Sequence, residues 1–304
     1  MSNSIYLEQN KKEYLRYRYV SRKLYSTEKK YRNNIMIIGS LLYIIGLIPL
    51  ISNWTIAIIA PIIWIPISFL WKRKLKSVHA SAVEYHEFYD RQMFDIEELK
   101  CLIDNENNLY QNAINITEGK KDKQAFEEMI KKENKISIKN WYSNFKGLPL
   151  EVATLLAQDE NVTWEKKQRE KYKKLLTVGI AIYLVTAFLI YHFTKSWVNV
   201  IFTIPIIFEI VEIFADNSDS IKNCNNIGDK LGKAYNYIRD TGKNYNVDRI
   251  KRDVIEIQFK IYENRKDSIP VPDIMYTMFR GNLQRESNLY VKAIKRDMIN
   301  WLKK

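Results

Sequence analysis

An all-α membrane protein, two transmembrane helical hairpins (four spans) joined to a helical cytoplasmic head, is the fold class that this 304-residue sequence predicts. Three observations carry the prediction. Apolar residues gather in four runs of 17–19 residues, arranged as two close pairs. Basic residues crowd the outer ends of each pair, while the tips carry only Lys195. The polar segments between and around the pairs hold few Gly and Pro and no sustained period-two alternation, which argues for helices rather than strands.

The elements follow in chain order. Residues 1–34 form a cytoplasmic N-terminal region, with one helix expected over Ser4–Asn33. Residues 35–71 are the first hairpin, made of Ile35–Ile51 and Trp54–Trp71. As helices these runs reach about 26 Å, close to the bilayer hydrocarbon thickness. They are apolar on all faces, whereas a buried core helix needs only a stripe. The two-residue Ser52-Asn53 link is tight, so this pair reads either as two full spans or as a re-entrant hairpin. Trp54, Trp71 and Trp197 stand at run ends, as interfacial aromatics do.

Residues 72–174 are a cytoplasmic insert. A helix is expected to continue from the second span to Leu102, Asp104–Lys123 reads as a surface loop rich in Asn, Gly and Lys, and Leu150–Lys174 should be a helix entering the third span. Residues 175–214 are the second hairpin, Leu175–Phe193 and Trp197–Phe214. Residues 215–304 form the C-terminal region, with helices over Ser218–Thr241, Asp248–Arg265 and Asp273–Leu302, and Ile269–Pro272 extended between the last two. The positive-inside rule places both termini and the insert in the cytoplasm. The charged stretch before the first run argues against a signal peptide.

The mean hydropathy of −0.33 therefore averages two unlike kinds of segment. The net charge of +13 suits nucleic acid, anionic lipid or a phosphate ligand, but part of it is the topology signal. Two cysteines and three histidines exclude a disulfide scaffold and leave little for a zinc site. No phosphate-binding glycine loop, Gly-x-Ser-x-Gly elbow or His-Glu-x-x-His is present, so no catalytic residue is assigned and the chain is not expected to be an enzyme. His79 and His86, with Cys101 beyond them, read as packed or solvated rather than as metal ligands. No resident cofactor or metal is expected.

Two groups of residues carry possible chemistry. Glu209 and Glu212 lie three apart in the last turns of the fourth run. They read as snorkelling or paired with Lys173 or Lys174, or alternatively as acids at the cytoplasmic mouth of a pore, with Asn199 a weaker candidate. In the head, Trp141, Tyr142, Gln158, Asn161, Trp164, Arg169, Arg265, Tyr276 and Arg280 offer aromatic planes for bases, amides for base edges and guanidinium forks for phosphate. The competing reading makes the aromatics core and pairs the arginines with Glu or Asp.

The same residues resemble a known family. Asn140-Trp141-Tyr142, Leu148-Pro149, Gln158, Asn161, Trp164, Arg169 and Tyr172 resemble the central block of the SMODS-associated four-transmembrane effectors (S-4TM). Gln258, Ile261-Tyr262, Arg265, Pro272-Asp273, Tyr276 and Arg280 are similar to its C-terminal block, and His86-Glu87-Phe88-Tyr89-Asp90 with Phe94 to a block after the second span. His86, Ala157 and Glu165 stand where the family usually has Gln, Cys and Asp. The resemblance implies a bacterial antiphage (CBASS) effector in the inner membrane. A cGAS/DncV-like nucleotidyltransferase would supply a cyclic oligonucleotide as activating ligand. The effector would then assemble as a homo-oligomer, form a pore or otherwise permeabilise the membrane, and kill the cell by abortive infection. Ligand contacts are expected from Arg169, Arg265, Arg280, Tyr276, Trp164, Gln158 and Trp141. The alternative is a membrane-anchored scaffold whose head binds a protein partner.

Overall fold

The computed structural model describes residues 4–46, 54–103, 105–131, 138–195, 197–201 and 203–304, and every regular element among them is helical. A short helix α1 (Ser4–Glu8) precedes α2 (Lys12–Gly46), so the expected N-terminal helix breaks at residues 9–11 and then continues past Asn33 into the first apolar run. The break is pinned from outside. Gln9 Nε2 donates to the Tyr142 carbonyl at 3.0 Å, and the Tyr142 N–H donates back to Gln9 Oε1 at 2.7 Å. Residues 47–53, which contain the first hairpin tip, lie outside the described residues.

Helix α3 (Trp54–Phe94) carries the second apolar run straight into the head, with Pro61 and Pro66 inside it. It ends at Phe94, eight residues before Leu102; Asp95 follows with a left-handed φ of 55°, and then a 3₁₀ turn over Lys100–Leu102. The expected loop at 104–123 is instead largely helix. α4 (Glu106–Glu118) is capped by Asn105, whose Oδ1 accepts the Asn108 N–H at 3.0 Å. Its buried residues Leu109, Ala113 and Thr117 recur every four positions, and that stripe against α2 outweighs the poor helix propensity of its asparagines. α5 (Lys123–Lys131) buries Phe126 beside it.

Helix α6 (Leu150–Thr194) is 45 residues long and follows Pro149 without interruption into the third apolar run, as expected. At 1.5 Å per residue it spans roughly 68 Å, twice a bilayer core. Its first eleven residues are nearly all buried, whereas Val178, Ile182, Leu184, Val185 and Phe188 are more than half exposed. Its most apolar 18-residue window has a mean hydropathy of 2.0 with 11 % of it buried. Among the described residues it is the one helix long and apolar enough to cross a membrane.

The fourth apolar run is broken rather than continuous: α7 (Trp197–Ile201) ends before Thr203, and α8 (Ile204–Thr241) starts with Pro205 in its first turn. Proline has no N–H to continue the ladder. Thr203 Oγ1 instead bonds the Val200 carbonyl at 2.7 Å and lies 2.8 Å from Tyr183 Oη. α8 then runs into the head and ends at Gly242, whose φ is 56° and where a Cβ would meet the Trp301 carbonyl at 3.2 Å. α9 (Val247–Asp267) and α10 (Asp273–Trp301) complete the chain, joined by the expected non-helical segment at residues 269–272.

The main core lies in the head, where α2, α3, α4, α6, α8 and α9 meet around Tyr89, Phe126, Tyr142, Phe145 and Leu155. A smaller cluster joins Tyr172, Leu176, Ile213, Val271 and Met275, bringing the start of α10 against the middle of α6 and the first turns of α8. Ile35, Trp64 and Leu75 hold α2 against α3. Each of the four long helices α2, α3, α6 and α8 therefore belongs to both the head and an apolar run.

Candidate functional site

A cavity of about 350 Å³ opens between α2, α3, α6, the α9–α10 connection and α10. Trp141, Trp164, Arg169, Arg265 and Tyr276, five of the seven residues expected at a ligand site, line it, with Asn161 beside them. Gln158 does not. It is buried in the core, where its Nε2 donates to the Val254 carbonyl at 2.9 Å and to Gln258 Oε1 at 3.2 Å. The Arg280 side chain lies outside the described residues.

The aromatic wall has two parts. Trp164 and Tyr276 face each other across α6 and α10 with ring centroids 6.3 Å apart and planes inclined by 58°. Trp141 is held by its Nε1–H, which donates to Asn161 Oδ1 at 3.0 Å, and the Arg18 guanidinium lies 3.8 Å from its ring centre. Asn161 in turn donates to Tyr142 Oη at 3.0 Å, and Tyr142 donates to Asp90. Tyr142 is thus a core residue that braces the wall rather than part of it.

Arg265 and Arg169 reach the cavity already engaged. Arg265 Nη1 donates to Asp90 Oδ2 at 2.6 Å and lies 4.0 Å from Glu87 Oε2, with all three side chains buried. Arg169 bonds Glu165 at 3.0 Å, Ser268 Oγ at 2.7 Å and the Ile269 carbonyl at 3.3 Å, and its own carbonyl accepts from Asn217. It ties α6 to α8 and to the α9–α10 connection. Burial and the neighbouring Asp90 push the Glu87 carboxyl up to about 8, although Arg265 and a hydrogen bond from Gln258 oppose the rise.

The two histidines of this region behave oppositely. His79 is placed with Nδ1 2.8 Å from Glu28 and Nε2 2.8 Å from the Arg265 carbonyl, two acceptors that together call for the doubly protonated ring. Burial opposes that charge, but the Glu28 and Arg265 contacts outweigh it and raise the imidazole pKa. His86 is held well below the usual value by burial and by Arg265 and Arg18. Cys101 is exposed, and among the described residues no group of three or more His, Cys, Asp or Glu is placed to hold a metal ion.

The sequence reading missed the wall contributed by α2. Arg18, Arg22, Tyr25 and Lys29 all line the cavity, at spacings of four, three and four that put them on one helical face. That stripe was legible, but Arg22 and Lys29 were absorbed into the topology signal. With Lys139, Arg169 and Arg265 the lining holds six Lys and Arg side chains against three carboxylates, a balance that favours an anionic ligand. Each carboxylate is already bonded: Glu160 to Ser143, Glu165 to Arg169 and Asp273 to Lys29. Arg18 Nε and Ser287 Oγ, also in the lining and shielded from solvent, have no hydrogen-bond partner among the described residues.

Glu209 and Glu212 stand apart from this cavity. Both pair with Lys72 at the start of the head portion of α3, at 2.7 and 2.5 Å, and not with Lys173 or Lys174. Lys173 points instead at the Phe214 ring, 5.3 Å from its centre. The pairing joins the first apolar pair of helices to the second.

No curated protein and no solved structure matches the chain. One family model does, over residues 3–294, from α1 to the last turns of α10, and its description agrees with the long apolar helix of α6 and with the resemblance of the head residues. The chain belongs to the SMODS-associating 4TM effector domain family.

Proposed function

We propose that this protein is a membrane-permeabilising antiphage effector, switched on when a cyclic oligonucleotide enters the cavity between α2, α6 and α10. The four apolar runs serve as spans of the bacterial inner membrane, with both termini and the head on the cytoplasmic side. A cGAS/DncV-like nucleotidyltransferase supplies the ligand, and copies of the chain assemble to open the bilayer. The observation that carries this reading is the cavity itself. Aromatic planes (Trp141, Trp164, Tyr276) and guanidinium groups converge at the point where helices of the head lead directly into the apolar runs. Bases stack on the first and phosphates are held by the second.

At 350 Å³ the cavity is near the lower end of the range for ligand sites, about 300–1,000 Å³. A cyclic oligonucleotide seats itself by spreading α2 from α6 and α10. Such a ligand shifts the protein toward whichever state it binds better, and a wider cavity is that state. Dye leakage from liposomes carrying the purified protein, against a panel of cyclic di- and trinucleotides, tests the reading. Leakage triggered by one of them, and lost in Trp164→Ala and Tyr276→Ala, is the expected result. Silence across the panel with insertion confirmed overturns it.

One observation favours the scaffold alternative. Arg265 and Arg169 are satisfied by Asp90, Glu165 and Ser268, so they serve the fold whether or not a phosphate ever arrives. Capture of a protein partner by the head with no nucleotide response would support that reading.

A further inference from the structure

Helix α10 exposes apolar side chains where it approaches the apolar half of α6. Ile274 is 66 % and Met278 64 % exposed, one helical turn apart, whereas Met275 between them is buried and Tyr276 lines the cavity. The level of these residues follows from the register of α10 against α6. Tyr290 bonds Asp159, Glu286 meets Lys167, Phe279 lies under Lys171, and Met275 packs with Tyr172 and Leu176. Each step back along α10 is therefore a step along α6 toward its apolar run, which begins at Leu175. Ile274 stands level with the first residues of that run, and Met278 one turn short of it.

We propose that the first two turns of α10 are seated in the headgroup layer of the leaflet that faces the head, with Ile274 and Met278 inserted among the lipids. This rests on the reading of α6 as a membrane span. Two features name the bilayer as the occupant. The surface is continuous with the lower cluster that holds α10 to α6 and α8 at the end of their apolar runs. The same level carries Lys171, Lys173 and Lys174, which complement anionic headgroups. The arrangement gives α10 two faces with different tasks: Tyr276 meets the ligand cavity, and Ile274 and Met278 meet the membrane. A ligand that moves α10 then changes the helix's seat in the lipid as well as the spacing of the spans.

The test places an environment-sensitive fluorophore at single cysteines in the full chain, reconstituted in liposomes of zwitterionic and anionic phospholipid. The background is Cys101→Ser, because Cys224 is buried. Ile274→Cys and Met278→Cys are compared with Leu289→Cys, which is as exposed but roughly 22 Å farther along the helix from Ile274. Leu184→Cys, at the middle of the apolar run of α6, reports the span itself and is read with lipid spin-labelled near the end of its acyl chain. Blue-shifted emission at 274 and 278, quenched by lipid spin-labelled near the headgroup, with 289 unquenched, is the expected result. Quenching at 184 alone overturns the seat of α10 and leaves the span intact; no quenching at 184 overturns the span and the seat together. Disulfide formation between copies at 274 or 278 without lipid quenching would assign the surface to a second copy, and also overturns the proposal.

Discussion

Arg265 shows how one side chain can belong to a candidate site and to the fold at once. It is buried against Asp90, with Glu87 4.0 Å away, and removing the guanidinium strands the Asp90 charge. Arg265→Met is expected to destabilise the protein by about 3–5 kcal/mol, read in chemical or thermal unfolding. Loss of ligand response in that variant alone would thus report misfolding. Trp164 and Tyr276, half-exposed on the cavity wall, are the cleaner probes. Glu87 offers a second test at this scale. Its carboxyl is raised from 4.5 to about 8 in the fold by burial and Asp90, against the attraction of Arg265 and Arg91. A carboxyl that holds its proton more tightly when folded contributes stability that is complete below the unfolded value and is lost as pH climbs to the folded one. Between about pH 5 and 8 that loss is about 1 kcal/mol per pH unit. Glu87→Gln keeps an acceptor for Gln258 and abolishes the titration. The stability gap between wild type and variant should accordingly shift in the variant's favour across this window, and parallel profiles would refute the assignment.

Among the elements, those announced by long periodic or uniformly apolar patterns were legible in the sequence, and those decided by tertiary contacts were not. The run from Leu150 to Thr194 has no breaker and reads as one helix, and it is one. The helix at Glu106–Glu118 was hidden because asparagines dilute its stripe of Leu109, Ala113 and Thr117, and only packing against α2 reveals it. The break at residues 9–11 depends on Gln9 reaching Tyr142, 133 residues away, whereas the break at Thr203 sits beside Pro205 and is written in the sequence. For the site, aromatic and arginine residues were legible as a set, but which of them share a wall required the fold: Gln158 turned inward, and the α2 face joined. The partner of Glu209 and Glu212 was equally invisible, since Lys72 lies about 140 residues away. This pairing makes a specific prediction for the elements it joins. Lys72→Met leaves two acids facing each other's field, and on the proposed reading of the apolar runs as spans this happens at the lipid boundary, where unpaired charge is costly. Reconstituted Lys72→Met is expected to leak dye without ligand. Adding Glu209→Gln and Glu212→Gln to it should restore silence by removing the stranded charges. Equal leakage from the single and triple variants would show that Lys72 acts by packing alone.

On the scale of the whole molecule, the candidate cavity and the Lys72 contact share helix α3, with the cavity on the head side. Helix α3 carries both His79 and His86 of the cavity wall and Lys72, so a displacement at the cavity is carried along it as a rigid movement rather than relayed through loops. Coupling of this kind requires one bistable element that both sites bias. The pairing of α3 with α8 through Lys72 is suited to that role, because it is made or broken as a unit. An order of action follows and can be tested by combining variants. On the proposed function, Trp164→Ala removes the ligand's grip and Lys72→Met removes the restraint on the spans. If the head acts through the restraint, Lys72→Met is downstream, and the double variant should leak constitutively and without response to any nucleotide. If the double variant is as silent as Trp164→Ala, the cavity does more than release the Lys72 contact, and α10 with its outward Ile274 and Met278 becomes the element through which the head would have to act. Leakage traces from the four proteins, at matched reconstitution and with folding verified by thermal unfolding, separate these two orders.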